Sequence, residues 1–224
     1  MKKIYNPDNL SEAQLWMIAL SSVLGGQNYH RHDTLCGCEK TPELIEDIGH
    51  MMKRDWGISN KADLLGSLNW LLKDGHGIDF LKERYFFSAL SETAQNAYLN
   101  KLDKNSSKYI QYSLIKNYDK ITPNAGVLAW DYGRYVFLCR CGVFLNYISS
   151  EEAWNLMLKV AKLAQKAYSS WREYGLAYIA GRQTWLKNMS ADSAEEQVSK
   201  IKNLIIDKES PWNRLDWNTN LEQV

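Results

Sequence analysis

The stretch from Ala129 to Trp185 limits the possible folds more than any other part of the chain. It carries Ala129-Trp130-Asp131-Tyr132-Gly133-Arg134, then Tyr147-Ile148-Ser149-Ser150-Glu151-Glu152-Ala153-Trp154, then Ser170-Trp171-Arg172-Glu173 and Gly181-Arg182-Gln183-Thr184-Trp185. Apolar residues recur at helical spacing, so the stretch reads as three consecutive helices. Ser149-x-x-Glu152 and Ser170-x-x-Glu173 have capping-box form, in which serine and glutamate satisfy orphan amides at a helix start. Gly133, Gly175 and Gly181 fall mid-helix, where glycine costs about 1 kcal/mol relative to alanine. Close approach between helix backbones would offset that loss. Thr122-Pro123 is a cap followed by proline, predicting a long helix from about 122 to 147, roughly 39 Å at about 1.5 Å per residue. Its surface is apolar nearly all round, which predicts burial by neighbours on several sides.

The remaining segments agree with helices. Ser11-Glu12-Ala13-Gln14 opens a first helix to about Leu24, stopped by Gly25-Gly26, and a polar loop runs to Lys40. Thr41-Pro42 opens a second helix to about Lys53, and Ser59 caps a third with a stripe of Leu64, Leu65, Leu68, Leu71 and Leu72, ended by Asp74-Gly75-His76-Gly77. Three shorter helices are expected between 80 and 118. Ser193-x-x-Glu196 opens the last, with Val198, Ile201, Leu204 and Ile205 facing inward. The segment from Ser210 to Trp217 is irregular, and its two tryptophans predict that it packs down. No stretch alternates as a strand and no repeat is evident. The fold class expected is therefore all-α, one bundle-like domain over 1–224 with a long buried central helix, and subdivision is suggested only near Asn105.

Charge and cysteine usage narrow the function classes. With 27 basic and 26 acidic residues there is no global field to draw in nucleic acid or anionic lipid. After Lys2 and Lys3, Asn6-Pro7-Asp8-Asn9 stands where a signal peptide needs an apolar core, and the run Tyr135 to Cys139 is too short to span a bilayer. Four cysteines are too few for a disulfide scaffold, so reduced thiols in a soluble, cytoplasmic protein are expected, with no membrane partner.

In their order, Trp130-Asp131-x-x-Arg134, the Tyr147 to Trp154 helix start, the Ser170-Trp171 helix ending in Gly181-Arg182-x-x-Trp185, and Ser210-Pro211-Trp212 resemble an uncharacterised bacterial family, domain of unknown function 1266. Trp56-Gly57-Ile58 and Gly75-His76 extend the resemblance. Relatives often have a basic residue after the Gly-His pair, where this chain has Gly77. The resemblance implies a bacterial soluble protein and implies no activity.

Three constellations could carry chemistry. Asp131 and Arg134, three apart on one helix face, can pair, while Trp130, Tyr178, Arg182 and Trp185 sit on facing stripes. One reading is a buried Asp-Arg network that fixes helix register. Another is a groove in which Arg134 and Arg182 hold a small anionic ligand, or a protein partner, with Asp131 orienting the guanidinium groups. The alternative is an enzyme, a hydrolase or toxin-like effector, using the Asp131, Arg134 and Arg182 cluster around a cleft with His76 nearby and Asp131 or Glu152 as general acid/base, although no nucleophile and base are visible beside them. His76 after Gly75 is expected to cap a helix C-terminus. His30-x-His32 and Cys36-x-Cys38 place four possible zinc ligands in one loop, at a spacing unlike that of known zinc modules. Otherwise no cofactor is expected. Cys139 and Cys141 lie about 200° apart on a helix and read as core or interface cysteines.

Overall fold

The computed structural model describes residues 6–222, so Lys2 and Lys3 lie outside it. The described residues form twelve helices and no strand. None of these helices is long and apolar enough to cross a membrane. In chain order they are α1 (Glu12–Ala19), α2 (Ser22–Gln27), α3 (Pro42–Trp56), α4 (Lys61–Lys73), α5 (His76–Ser88) and α6 (Glu92–Asn100). There follow α7 (Ser107–Tyr118), α8 (Leu128–Phe144), α9 (Ser150–Ala167), α10 (Trp171–Leu186), α11 (Ala191–Ile206) and the single turn α12 (Pro211–Arg214).

The expected central helix is α8, surrounded by α1, α2, α3, α4, α5, α9 and α10. Of its 17 residues only Leu128 and Val143 are not buried. It is shorter than the sequence predicts, about 25 Å at 1.5 Å per residue. Thr122 does not cap it: its hydroxyl donates to the Tyr118 carbonyl at 2.8 Å, and the chain turns through Gly126 at φ +55° before α8 begins. The other end stops at Phe144 because Asn146 takes a left-handed conformation at φ 58°. The Tyr147 amide then donates to the Gly142 carbonyl at 2.8 Å and the Asn146 amide to Val143 at 3.0 Å, the paired bonds of a Schellman stop.

The mid-helix glycines are places of close approach. A Cβ on Gly181 would lie 2.4 Å from Trp130 Cβ, one on Gly133 2.9 Å from the Tyr178 ring, and one on Gly175 2.8 Å from Ile201. Helices α8 and α10 thus meet nearly backbone to backbone. Beside them Trp16 of α1, Trp171 of α10, Trp212 and Trp217 form an indole cluster with centroids 4.8–5.4 Å apart. The indole N–H groups of Trp171, Trp212 and Trp217 donate to the carbonyls of Leu215, Ala19 and Tyr168. The segment after Ser210 is therefore packed down as expected. A smaller apolar cluster under α5 and α7 contains Phe80, Phe87, Tyr112 and Ile115, closed by Val127 and Ala180.

Several local expectations need correction. The first helix breaks at Leu20-Ser21, and Gly25-Gly26 lies inside α2 instead of ending α1. Asn60, not Ser59, caps α4, its side chain accepting from the Asp63 amide. Ser190, not Ser193, caps α11, which shifts the inward face: Val198 is exposed, while Gln197 and Ile201 are buried. The Ser149 capping box is complete. At α10 the Ser170 hydroxyl accepts from the Glu173 amide, but the Glu173 carboxylate binds Ser169 instead of closing the box.

Candidate functional site

One face of α8 presents Trp130, Arg134 and Phe137, spaced one turn apart, to a cavity of about 690 Å³. Its other walls come from α2 (Gln27) and the Asn28 that follows it, α3 (Asp55, Trp56), α4 (Trp70, Leu71), His76 and α10 (Arg182, Trp185). Volume and aromatic lining are those of a small-molecule pocket. Five of the seven side chains expected as ligand-binding, Trp130, Arg134, Arg182, Trp185 and His76, line it. Asp131 and Tyr178 stand behind its wall, both fully buried.

Asp131 is committed to the protein. Its Oδ2 accepts from the Gly77 amide at 2.6 Å, and its Oδ1 is paired with Arg134 Nη2. The carboxylate thus sits on the first turn of α5, where the helix dipole favours negative charge. Glycine at 75 and 77 is what lets it in, since a Cβ at either would lie 2.7 or 2.8 Å from Oδ2. This gives a physical reason for glycine at 77. Burial pushes the Asp131 carboxyl up from the usual carboxylate range, and Arg134 and the Gly77 amide pull it back.

Arg134 is buried, its Nε donating to the Trp130 carbonyl at 3.3 Å. Its guanidinium carbon lies 4.8 Å from the Trp130 ring centroid and 5.7 Å from that of Trp56, within cation–π range of both. Its Nη1 has no hydrogen-bond partner among the described residues. Arg182 is half-buried at the cavity and likewise has neither a hydrogen bond nor an ion pair there. Two uncharged donors are also orphaned: Trp130 Nε1 and the Tyr178 hydroxyl, both buried without a partner. Trp130 meets the Tyr178 ring at 5.0 Å edge-on and Trp185 at 5.7 Å.

His76 corrects a further expectation. It is the first residue of α5, with Gly75 as the cap, so it faces the positive end of a helix dipole instead of capping a C-terminus. Burial, then the Arg134 charge, lowers its pKa, with Asp131 and Asp79 acting in opposition, so the ring is neutral near pH 7. It packs edge-on against Trp70 at 5.2 Å. Glu152 lies elsewhere, paired with Lys61 and bonded to the Ser149 amide, and takes no part in this cavity.

The His30, His32, Cys36 and Cys38 loop closes around a side chain that the spacing did not single out. Arg140 is fully buried on α8 and donates to the carbonyls of Leu35 (2.9 Å), Thr34 (3.3 Å) and Arg31, and to Ser21 Oγ (3.0 Å). Gly37, at φ +80°, lets the guanidinium pass: a Cβ there would sit 2.5 Å from Arg140 Nη2. Burial and the Arg140 charge hold His30 and His32 down to about 4, and burial pushes both thiols up. Among the described residues no group of three or more His, Cys, Asp or Glu is arranged to hold a metal ion. The four side chains share a loop, but they surround the protein's own cation. Cys139 and Cys141 are buried in the core, as expected.

Residues 51–217 match the family described as protein of unknown function DUF1266. The chain belongs to that family. Among its relatives, the Escherichia coli K12 uncharacterized protein YbeR is 30% identical over 134 residues, covering 60% of this chain and 56% of YbeR. The uncharacterized protein YbeU of the same organism is 28% identical over 186 residues, covering 81% of this chain and 75% of YbeU. The match thus spans little more than half of YbeR's length. No solved structure matches the chain. The DUF1266 region contains the α4, α8 and α10 walls of the cavity, with Arg134 and Arg182, whereas the His/Cys loop around Arg140 precedes it. Trp56, Trp70 and Gln27 were not anticipated as site residues, because each reaches the cavity from a different helix.

Proposed function

We propose that this DUF1266 protein is a cytoplasmic binding protein for a small anionic ligand, held in the cavity between α2, α3, α4, α8 and α10. The observation that carries the reading is the convergence of two guanidinium groups, Arg134 and Arg182, on one aromatic-walled cavity, with Arg182 and Arg134 Nη1 lacking an acceptor among the described residues and the partnerless Trp130 Nε1 buried in the wall. Guanidinium groups form strong, often bidentate hydrogen bonds with carboxylates and phosphates, so two of them on one cavity support an anionic acceptor there. The concave shape supports a small molecule over a protein partner. The enzymatic alternative loses its acid/base candidate, because both Asp131 oxygens are engaged and fully buried. Four free cysteines support the cytoplasmic location. A thermal-shift and tryptophan-fluorescence screen of organic anions against their neutral isosteres tests the proposal. Saturable binding of anions only, lost in Arg182→Ala, is the expected result. A cavity indifferent to every anion, in a protein that melts cooperatively, would overturn it.

A further inference from the structure

The charges around the cavity can be counted, and the count narrows the ligand. Arg134 is neutralised by Asp131, and Asp55 at the rim by Arg54 at 2.6 Å. Glu196, which lies within electrostatic reach of Arg182, is paired with Lys200 at 2.6 Å. His76 is faced by Arg134, Asp131 and Asp79 and stays uncharged near neutrality. Among the described residues around the cavity, one positive charge, that of Arg182, remains without a partner.

We propose that the ligand class is aromatic monocarboxylates, molecules with a flat ring system and a single carboxylate. This rests on the reading of the cavity as an anion site and specifies what it holds. A carboxylate brings one negative charge to match the Arg182 surplus, and two coplanar oxygens that suit a guanidinium fork. A phosphate monoester would bring −1.5 to −2 charges and leave part of that charge unmatched in a partly enclosed site. The Trp130 indole N–H, in the cavity wall and without a partner, is an uncharged donor suited to the same acceptor oxygens. The body of the ligand is specified by the walls. Trp56, Trp70, Trp130 and Trp185 offer indole faces and edges, and Trp185 is 48% exposed at the opening, a large ring left half uncovered. Aromatic pairs gain about 0.5–1.5 kcal/mol beyond area burial, an advantage that a saturated ring of similar size does not receive.

Fluorescence titration with four probes tests this: 2-naphthoate, 2-naphthyl phosphate, the neutral 2-naphthalenemethanol and cyclohexanecarboxylate. The expected result is saturable 2-naphthoate binding, with each of the other three roughly tenfold weaker or more, about 1.4 kcal/mol. Arg182→Ala, a half-buried position whose loss leaves the core intact, should weaken 2-naphthoate by a similar factor. Trp130→Phe keeps a ring and removes the indole N–H, and should weaken it several-fold with the melting temperature checked in parallel. Should 2-naphthyl phosphate bind more tightly than 2-naphthoate, the monocarboxylate class is wrong and the anion site stands. Equal binding of cyclohexanecarboxylate overturns the aromatic requirement alone. Binding of the neutral alcohol as tightly as 2-naphthoate, or of no probe at all, overturns both.

Discussion

His30 and His32 tie the acid stability of the fold to two named side chains. Both are held at about 4 by burial and by Arg140, against 6.5 for an ordinary histidine, with His32 also lowering His30 and Asp33 acting the other way on His32. Unfolded chains begin to bind protons at these positions near pH 6.5, whereas the folded protein does so only near 4. Stability contributed by the neutral rings is therefore intact above about pH 6.5 and is lost as pH falls towards 4. One unit of displacement is worth about 1.4 kcal/mol, so moving from pH 7 to 4.5 removes about 2 kcal/mol per histidine, roughly 4 for the pair. That is a large part of a typical folding free energy of about 5–15 kcal/mol. Urea unfolding followed by far-ultraviolet circular dichroism, at both pH values, measures it. Wild type should lose about 4 kcal/mol more than the His30→Gln/His32→Gln double variant. His76, shifted in the same direction, and Asp119, lowered by its bonds to Arg84 and Ser88, titrate in both proteins and cancel in the difference. Equal losses in the two proteins would refute the reasoning.

Three further outcomes follow from the packing. Gly181→Ala sets a methyl against Trp130 Cβ, and overpacking of this kind costs about 1–3 kcal/mol, seen as a lower urea midpoint; an unchanged midpoint would mean that α8 and α10 can separate freely. Arg140→Met strands the carbonyls of Arg31, Thr34 and Leu35, with an expected loss of about 3 kcal/mol and faster limited proteolysis within residues 28–41, and protection equal to wild type would show that the loop holds without its guanidinium. Asp131→Asn leaves Arg134 without its countercharge and should cost about 3 kcal/mol in thermal or urea unfolding, whereas a neutral result would remove Asp131 as the support of that side chain.

What could be read from the chain depended on how local the cause was. Ser11, Thr41-Pro42 and Ser149 mark helix starts correctly because a cap is made within four residues of itself. Thr122-Pro123 has the same form and misleads, since Thr122 Oγ1 turns back to the Tyr118 carbonyl and the chain needs Gly126 to re-aim before α8. Asp74-Gly75-His76 serves both ends, closing α4 at Asp74 and opening α5 at His76, and the second start is met by Asp131, far away in sequence, on the Gly77 amide. The close approach at Gly133, Gly175 and Gly181 was legible because glycine has no other reason to sit mid-helix in an apolar face. The site was legible in part. Trp130, Arg134, Arg182 and Trp185 declare themselves as charges and indoles on facing helices, but Trp56 and Trp70 resemble any core tryptophan until the helices are assembled. Arg140 gave no sign of its role, because what it holds is main-chain carbonyls, which no residue pattern encodes.

The indole cluster has a consequence for the order of events during synthesis. Trp16 rests against Trp171 and Trp217, so α1 meets these indole partners only after the chain has grown by more than 150 further residues. Contacts of such long separation close slowly, and apolar surface waiting for them is exposed to aggregation. Between the synthesis of Trp16 and that of Trp171 the indole face of α1 therefore waits for its partners, and holding chaperones are the natural custodians of that interval.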